Sequence, residues 1–499
     1  MVIKDTQFIN EIEDKYPVDE WLVDDIHIWP LIRIQVATNI ILKSTQGNVP
    51  QQQNQQKTRL LSKLSSVVTG HLNYCKNYFK DYSKNASPNE HVNAILLGDQ
   101  VSRVLVNSRW YDRFCDPIID KLKVAEFTSL HMEPLHQYHT PRYNPGIFIQ
   151  PHLDWLRIKN LLQARTGIDY DQLHGFKELL TCLEKTWGIT LNEVLLSRTI
   201  QYLKLIAGWF DKIIERTQPS IGFVVCYYGI EGMAFNLSCR RNGIPSVDIQ
   251  HGVQGDFHRA YGQWNRVPPN GYELLPSIFW VWSETEARAI EKWNQKVSHF
   301  HQPFIGGNPW LDISKEQPEV FYGGEIHEYI KSIKQAKVKI LFCLSGLVDY
   351  GVTIPDWIKK VIMNSPPEWF WLFRLHPCEL SERERIRALI TQLNPAQVEL
   401  DMATDLPLPI LLQNVDIHIT HWSTTTIEAA IFGIPTITVD QMGYDLFKNQ
   451  IPEGLLTLAI DERSLSEAIN SLLNNESQII KGYEPRLNRA ITEIMGLAL

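Results

Sequence analysis

The sequence predicts an α/β protein with two doubly wound parallel-sheet domains and a helical extension at its N-terminus. Short apolar, β-branched runs alternate with helical stretches along most of the chain, the pattern of a parallel sheet with helices on both faces. The runs of the second half repeat that logic and end in polar turns. At 499 residues and 44% hydrophobic content the chain is too long for one compact core and fits two or three domains.

The elements follow in order. Residues 1–90 read as the extension, with a Trp- and Ile-rich helix from Trp29 to about Leu42, a Gln-rich loop over 45–60 and a second break near Lys84 to Asn89. The first buried strand is Asn93 to Leu97, which opens a domain over 91–305. A mainly helical insertion over about 151–217 leads into a strong strand at about 221–227. The helix Ile230 to Asn242 then closes at Gly243 and Pro245, before the strand Ser246 to Gln250. The run Ile278 to Val281 is another strand, ending at Ser283 where a helix begins. Gly306, Gly307, Asn308 and Pro309 form a tight turn into a second domain over 306–480. Its strands fall at about 338–344, 369–375, 397–401, Val415 to Thr420, Thr436 to Val439 and 455–460. Helices over Leu465 to Asn474 and Pro485 to Met495 end the chain, and the segment 481–499 is expected to pack back on the first domain.

Composition limits the function. A net charge of −8 excludes a dedicated nucleic-acid binder whose affinity rests on neutralising phosphates. The seven cysteines are scattered, odd in number and free of Cys-x-x-Cys spacing, as in a reduced cytosolic protein. No apolar run approaches a bilayer span and the first residues lack a signal-peptide core, so a soluble cytoplasmic protein is expected.

Chemistry-bearing residues gather at strand ends. Ser423, Thr424, Thr425 and Thr426 stand between a strand and a short helix, where unpaired N–H groups suit a phosphate, and Glu428 falls in the first turn. Taken alone, such a turn is more often a simple cap. His376 and Arg374 come from the strand end before it. His376 is expected to donate to a phosphate, with Glu379 orienting its ring, and Arg374 to fix the loop. Ser345 and Gly346 offer backbone N–H groups to the same ligand. In the first domain His251 follows a strand directly, flanked by Gly252 and Gly255, with an unperturbed pKa near neutrality that suits a base. Arg103, Arg109 and Arg113 are read as able to meet an acidic acceptor or to pair with Asp112 and Asp116. No His/Cys cluster with ligand spacing and no Asp-x-Asp pair at a strand end is visible, so the sequence requires no metal.

Three segments, HGVQG at 251–255, the Arg-x-His-Pro at 374–377 and THWSTTTIEAAIFGIP at 420–435, together resemble bacterial capsule and surface-polysaccharide glycosyltransferases of the GT-B type. That group includes Kdo- and sialic-acid-type transferases and polyol-phosphate polymerases of wall teichoic acid synthesis. The resemblance covers about 218–445. It implies two Rossmann-like domains, an acceptor side over 91–305 and a nucleotide-sugar donor side over 306–480. It carries phosphate binding to His376, Ser423, Thr424 and Thr425, and donor hydroxyls to Glu428. Sialyltransferases of this type often take their base from an acidic pair followed by Gly. No such triplet occurs in the first domain, which leaves His251, Asp99 or Glu126 as the candidate base.

The expected reaction is sugar transfer from a nucleotide-activated donor to a glycan or lipid-linked saccharide, without a further cofactor, the acceptor bringing the protein to membrane polysaccharide machinery. Alternatives are transfer of a polyol phosphate from a CDP-linked donor, a sugar-nucleotide epimerase, and a non-catalytic scaffold of a polysaccharide assembly complex.

Overall fold

Seven all-parallel strands form one sheet and six form another in a computed structural model of the chain. It describes residues 2–46, 90–99, 102–134, 139–164, 167–256, 258–295, 297–321, 324–333, 336–344, 354–393, 396–474 and 484–498. Two compact units result: Met1–Leu105 with Arg109–Pro309 and Arg486–Leu499, and Val106–Ser108 with Trp310–Pro485. Both sheets are Rossmann-like, so the fold is a GT-B-like α/β fold with an N-terminal helical region.

In the first unit the strands are β1 (Ala94–Leu97), β2 (Ser129–Glu133), β3 (Ile147–Phe148), β4 (Ile221–Val225), β5 (Ser246–Ile249), β6 (Ile278–Val281) and β7 (Gln302–Ile305). Their spatial order is β7-β6-β5-β4-β1-β2-β3. The chain therefore reverses its direction of travel between β1 and β4, and such a switch point opens a crevice at the C-terminal strand ends. Strands β1, β4, β5 and β6 are buried at every position, as central parallel strands must be with helices on both faces.

The helical insertion resolves into Gln150–Leu162, Phe176–Trp187 and Glu193–Thr217. Asn192 starts the last of these by accepting hydrogen bonds from the N–H groups of Val194 and Leu195. The N-terminal helices Val2–Lys15 and Trp29–Gln46 share one apolar core with this sheet, through Ile9, Ile12, Trp29, Ile32 and Val36. The last helix, Leu487–Ala498, packs against Cys115–Val124 of the same unit. Residues 47–89 lie outside the described chain, and with them most of the expected Gln-rich loop and the second break.

The second unit holds β8 (Val338–Cys343), β9 (Trp369–Arg374), β10 (Val398–Glu399), β11 (Ile417–Thr420), β12 (Thr436–Thr438) and β13 (Leu456–Leu458). Their order is β10-β9-β8-β11-β12-β13, so the switch point lies between β8 and β11.

The segment Arg103 to Asp112 forms a hairpin that the sequence reading did not anticipate, Arg103–Val106 against Arg109–Asp112. Asn107 and Ser108 both take positive φ there, 47° and 62°, the signature of a tight two-residue turn.

Candidate functional site

Register puts the second unit's candidate residues in one row. Cys343 of β8 pairs with Arg374 of β9 and with Thr420 of β11, and Thr420 pairs with Thr438 of β12. The loops that follow therefore leave the sheet side by side at the switch point. His376, two residues past Arg374, is exposed there. Glu379 is buried and accepts a hydrogen bond from the His376 backbone N–H at 3.0 Å. Through this contact to the main chain Glu379 shapes the loop. Arg374 donates to the carbonyls of Ala403 and Leu406, each at 2.7 Å, and so ties the β9 end to the segment after β10.

The Ser/Thr turn is wired mostly to itself. Ser423 Oγ accepts from the Thr425 N–H at 3.3 Å, and the Ser423 carbonyl accepts from the Thr426 N–H at 3.2 Å. Thr425 Oγ1 lies 2.9 Å from His418 Nε2, and His418 Nδ1 lies 3.0 Å from Thr436 Oγ1. Burial pushes the His418 pKa down to about 3, so the ring is neutral and links helix Thr425–Ile431 to β11 and β12 through one donor and one acceptor. Thr425 thus holds the turn in place, whereas Thr424 is exposed. Glu428 is close enough to Cys343 to raise its thiol pKa. Burial is the main cause of that rise, to about 12, with Arg374 and Thr425 opposing it. Arg374, Thr425 and Glu428 accordingly gather around the end of β8. Ser345 and Gly346, which follow it, lie outside the described residues. Gly443 packs so tightly below the turn that a Cβ there would stand 1.7 Å from the His421 carbonyl oxygen.

At the first unit's switch point, Asp99 follows β1 and Tyr228 follows β4. Tyr228 Oη lies 3.2 Å from His251 Nε2. Asp99 contributes to raising the Cys226 thiol, which burial chiefly pushes to about 12, and Tyr228 pulls it down, so both flank Cys226. Burial lowers His251 to about 4, with Arg113 adding to the fall and the Ile249 backbone opposing it. The shift leaves the ring uncharged at neutral pH and able to take part in a hydrogen bond. A side chain at Gly252 would meet nothing within 4 Å, so its absence leaves open space beside His251.

Glu126 is placed elsewhere. It is exposed in the turn between helix Cys115–Val124 and β2, at the N-terminal end of the sheet. A residue that precedes a parallel strand cannot share the edge formed by residues that follow strands, so Glu126 is set apart from Asp99 and His251 by topology. Arg103 is buried rather than presented to an acceptor, and its Nε donates to Glu133 Oε1 at 2.5 Å.

Sequence reasoning missed the brace under the His251 loop. Arg33 donates to the carbonyls of Arg259 at 2.8 Å, Gly262 at 2.9 Å and Gln263 at 3.1 Å, and lies over the Trp264 ring at 4.1 Å. Its charge is met by buried Glu13, which also accepts from Trp29 Nε1 at 2.8 Å and from the Asn265 N–H at 2.6 Å. An Arg inside an apolar helix was the signal, since a buried guanidinium requires partners.

Among solved structures, UDP-GlcNAc 2-epimerase from Neisseria meningitidis bound to UDP-GlcNAc is similar to this chain at 14% identity. The match covers 81% of this chain and 99% of that one, with a TM-score of 0.50. The enzyme of the same name from Methanocaldococcus jannaschii matches at 13% identity over 81% and 99%, TM-score 0.49. A wall teichoic acid polymerase matches at 10% identity over 89% and 98%, TM-score 0.44. At 14% identity the likeness to the Neisseria meningitidis enzyme speaks for the fold alone. No protein-family model matches the chain, and no curated protein matches it. Among the described residues no helix is long and apolar enough to cross a membrane.

Proposed function

We propose that this chain is an enzyme acting on a nucleotide-activated sugar, and that it epimerises the sugar. The observation that carries the reading is the second unit's switch point. There an exposed His376, the turn at Ser423 and Thr424, and Glu428 leave one edge of a Rossmann-ordered sheet together. Phosphates suit His376 and the turn, and ribose or sugar hydroxyls suit the Glu428 carboxylate. The fold likeness to a UDP-GlcNAc 2-epimerase supports epimerisation over transfer.

Without oxidation, inversion at the carbon next to the anomeric centre runs by elimination of the nucleoside diphosphate with loss of the carbon-bound proton, followed by re-addition of the nucleotide as a proton arrives at the opposite face. Asp99 is our candidate for the proton-transferring carboxylate. His251, uncharged at neutral pH and hydrogen-bonded to Tyr228, would hold a sugar hydroxyl in position. Neither role needs a redox cofactor.

Incubation with UDP-GlcNAc and other nucleotide sugars in D2O tests this directly. An epimerase gives the epimer with solvent deuterium at the inverted carbon, seen by NMR and mass spectrometry. If no nucleotide sugar is converted and no nucleotide raises the melting temperature, the reading is wrong.

Sugar or polyol-phosphate transfer is the second reading, carried by the three segments at 251–255, 374–377 and 420–435. It predicts nucleotide release that depends on an added glycan or lipid-linked acceptor, with no deuterium in the recovered donor.

A further inference from the structure

Gly98 closes β1, and the space where its side chain would stand is surrounded by three donor atoms. A Cβ there would lie 2.9 Å from His131 Nε2, 3.3 Å from Asp112 Oδ2 and 3.7 Å from Cys115 Sγ. The three donors lie within 4.8 Å of one another, and all three residues are buried. Separate elements bring them together. Asp112 ends the hairpin, Cys115 begins the helix Cys115–Val124, and His131 sits in β2 opposite Leu96 of β1.

His131 is the second, independent sign. Its side chain is 1% exposed, yet neither ring nitrogen has a hydrogen-bond partner, and the nearest carboxylate oxygen, Asp112 Oδ2, is 3.9 Å from Nε2. A buried imidazole with both nitrogens unused has lost its hydrogen bonds to water without replacement, which is costly unless a ligand takes them up. Its Nδ1 faces the space beside Gly146, where a Cβ would stand 3.2 Å from it and 2.8 Å from Glu133 Oε2. Glu133 Oε2 is paired with Arg142 Nε at 3.0 Å and makes no hydrogen bond to the ring.

Asp112, Asp116 and Glu133 bring three carboxylates into this interior, beside the guanidinium groups of Arg103 and Arg142. A set of one nitrogen, one sulfur and one oxygen suits borderline-soft Zn²⁺, whereas Mg²⁺ and Ca²⁺ take oxygen alone.

We propose that Asp112, Cys115 and His131 form a zinc site beside Gly98, with three protein ligands and a non-protein fourth ligand. Binding forms Zn–O, Zn–S and Zn–N bonds and displaces the thiol proton to solvent. The mixed donor set is spread over 20 residues and two elements besides the helix, so no short spacing motif announces it in the sequence. The proposal does not depend on the nucleotide-sugar reading, because it is tested by metal content and spectra rather than turnover.

The experiment uses the full chain, stripped with a chelator and reloaded with Co²⁺ or Zn²⁺. One cobalt per chain is expected, with the visible bands of a tetrahedral site and a near-ultraviolet thiolate-to-cobalt band, all abolished by competing zinc. Cys115→Ser removes the thiolate band, and Gly98→Ala, which puts a methyl group among the donors, lowers the metal content several-fold. X-ray absorption at the zinc edge of the unaltered chain should show one sulfur neighbour, which decides the matter even if a variant fails to fold. A folded wild-type chain that takes up well under one metal, a zinc edge without sulfur, or a Cys115→Ser spectrum identical to wild type would each overturn the proposal.

Discussion

Replacing Asp248 with Asn asks whether the fold under the His251 loop holds a carboxylate in its protonated form. Asp248 sits in β5 between Val224 and Phe279 of the neighbouring strands and is 0% exposed. Burial raises its pKa from 3.8 to about 7, against the Tyr227 N–H, which donates at 2.9 Å, and the nearby Tyr261 hydroxyl, which favour the anion. Between those two values the folded chain keeps a proton that the unfolded chain has lost. Stability therefore falls as pH rises through this window, by about 1.4 kcal/mol per pH unit, and levels off above the folded value. The full effect is about 4 kcal/mol. Asn keeps an oxygen for the Tyr227 N–H, and it has no proton to lose. The stability of Asp248→Asn relative to wild type should thus improve by about 2 kcal/mol between about pH 5 and about pH 7. Urea unfolding followed by tryptophan fluorescence, run on both proteins at each pH, reads the gap with other titrations cancelled. A gap that stays constant across that range refutes the reasoning.

His376→Ala removes an exposed ring, so it should leave the melting temperature unchanged while lowering turnover of a nucleotide sugar about 100-fold or more. Wild-type rates in that variant would remove His376 from the phosphate site. Arg33→Met leaves Glu13 buried without its cation and should cost about 3–5 kcal/mol, whereas the double change Arg33→Met with Glu13→Gln should recover much of it. Equal losses in the single and double variants, measured by chemical unfolding, would show that the pair's charge is not what the core depends on.

Much of the fold was legible in the residues because strand and helix signals are local. The strand Ile278 to Val281 appears with those limits, and Ser283 caps the following helix by accepting from the Thr285 N–H. Elsewhere the sequence extended strands by a residue or two, as at Asn93 and Val415, since an apolar run does not end where its ladder of hydrogen bonds ends. The hairpin at 103–112 escaped because its turn is Asn107–Ser108 rather than the more familiar Asn-Gly, although both residues adopt the positive φ that such a turn needs.

The candidate site was legible only in part. Strand ends followed by His251, by His376 and by the Ser/Thr turn mark where loops leave the C-terminal edge of a parallel sheet, and periodicity alone finds those places. Periodicity does not say which way a side chain turns. Thr425 reads like its neighbours in the sequence, yet its hydroxyl meets His418, and Glu379 meets the His376 backbone N–H.

The sequence by itself determined the alternation of strands and helices, the division into two sheet-forming halves and the loops at which chemistry gathers. Each of these follows from interactions among residues two to four apart, which the order of residues states directly. Only the tertiary structure decided that Glu126 lies away from Asp99, that Arg33 braces a loop some 226 residues later in the chain, and that Asp112, Cys115 and His131 converge beside Gly98. It also set the proton affinities of His251 and Asp248. Those properties depend on burial and on charges brought close by strand order, and a residue's solvent and neighbours exist only once the sheet has assembled.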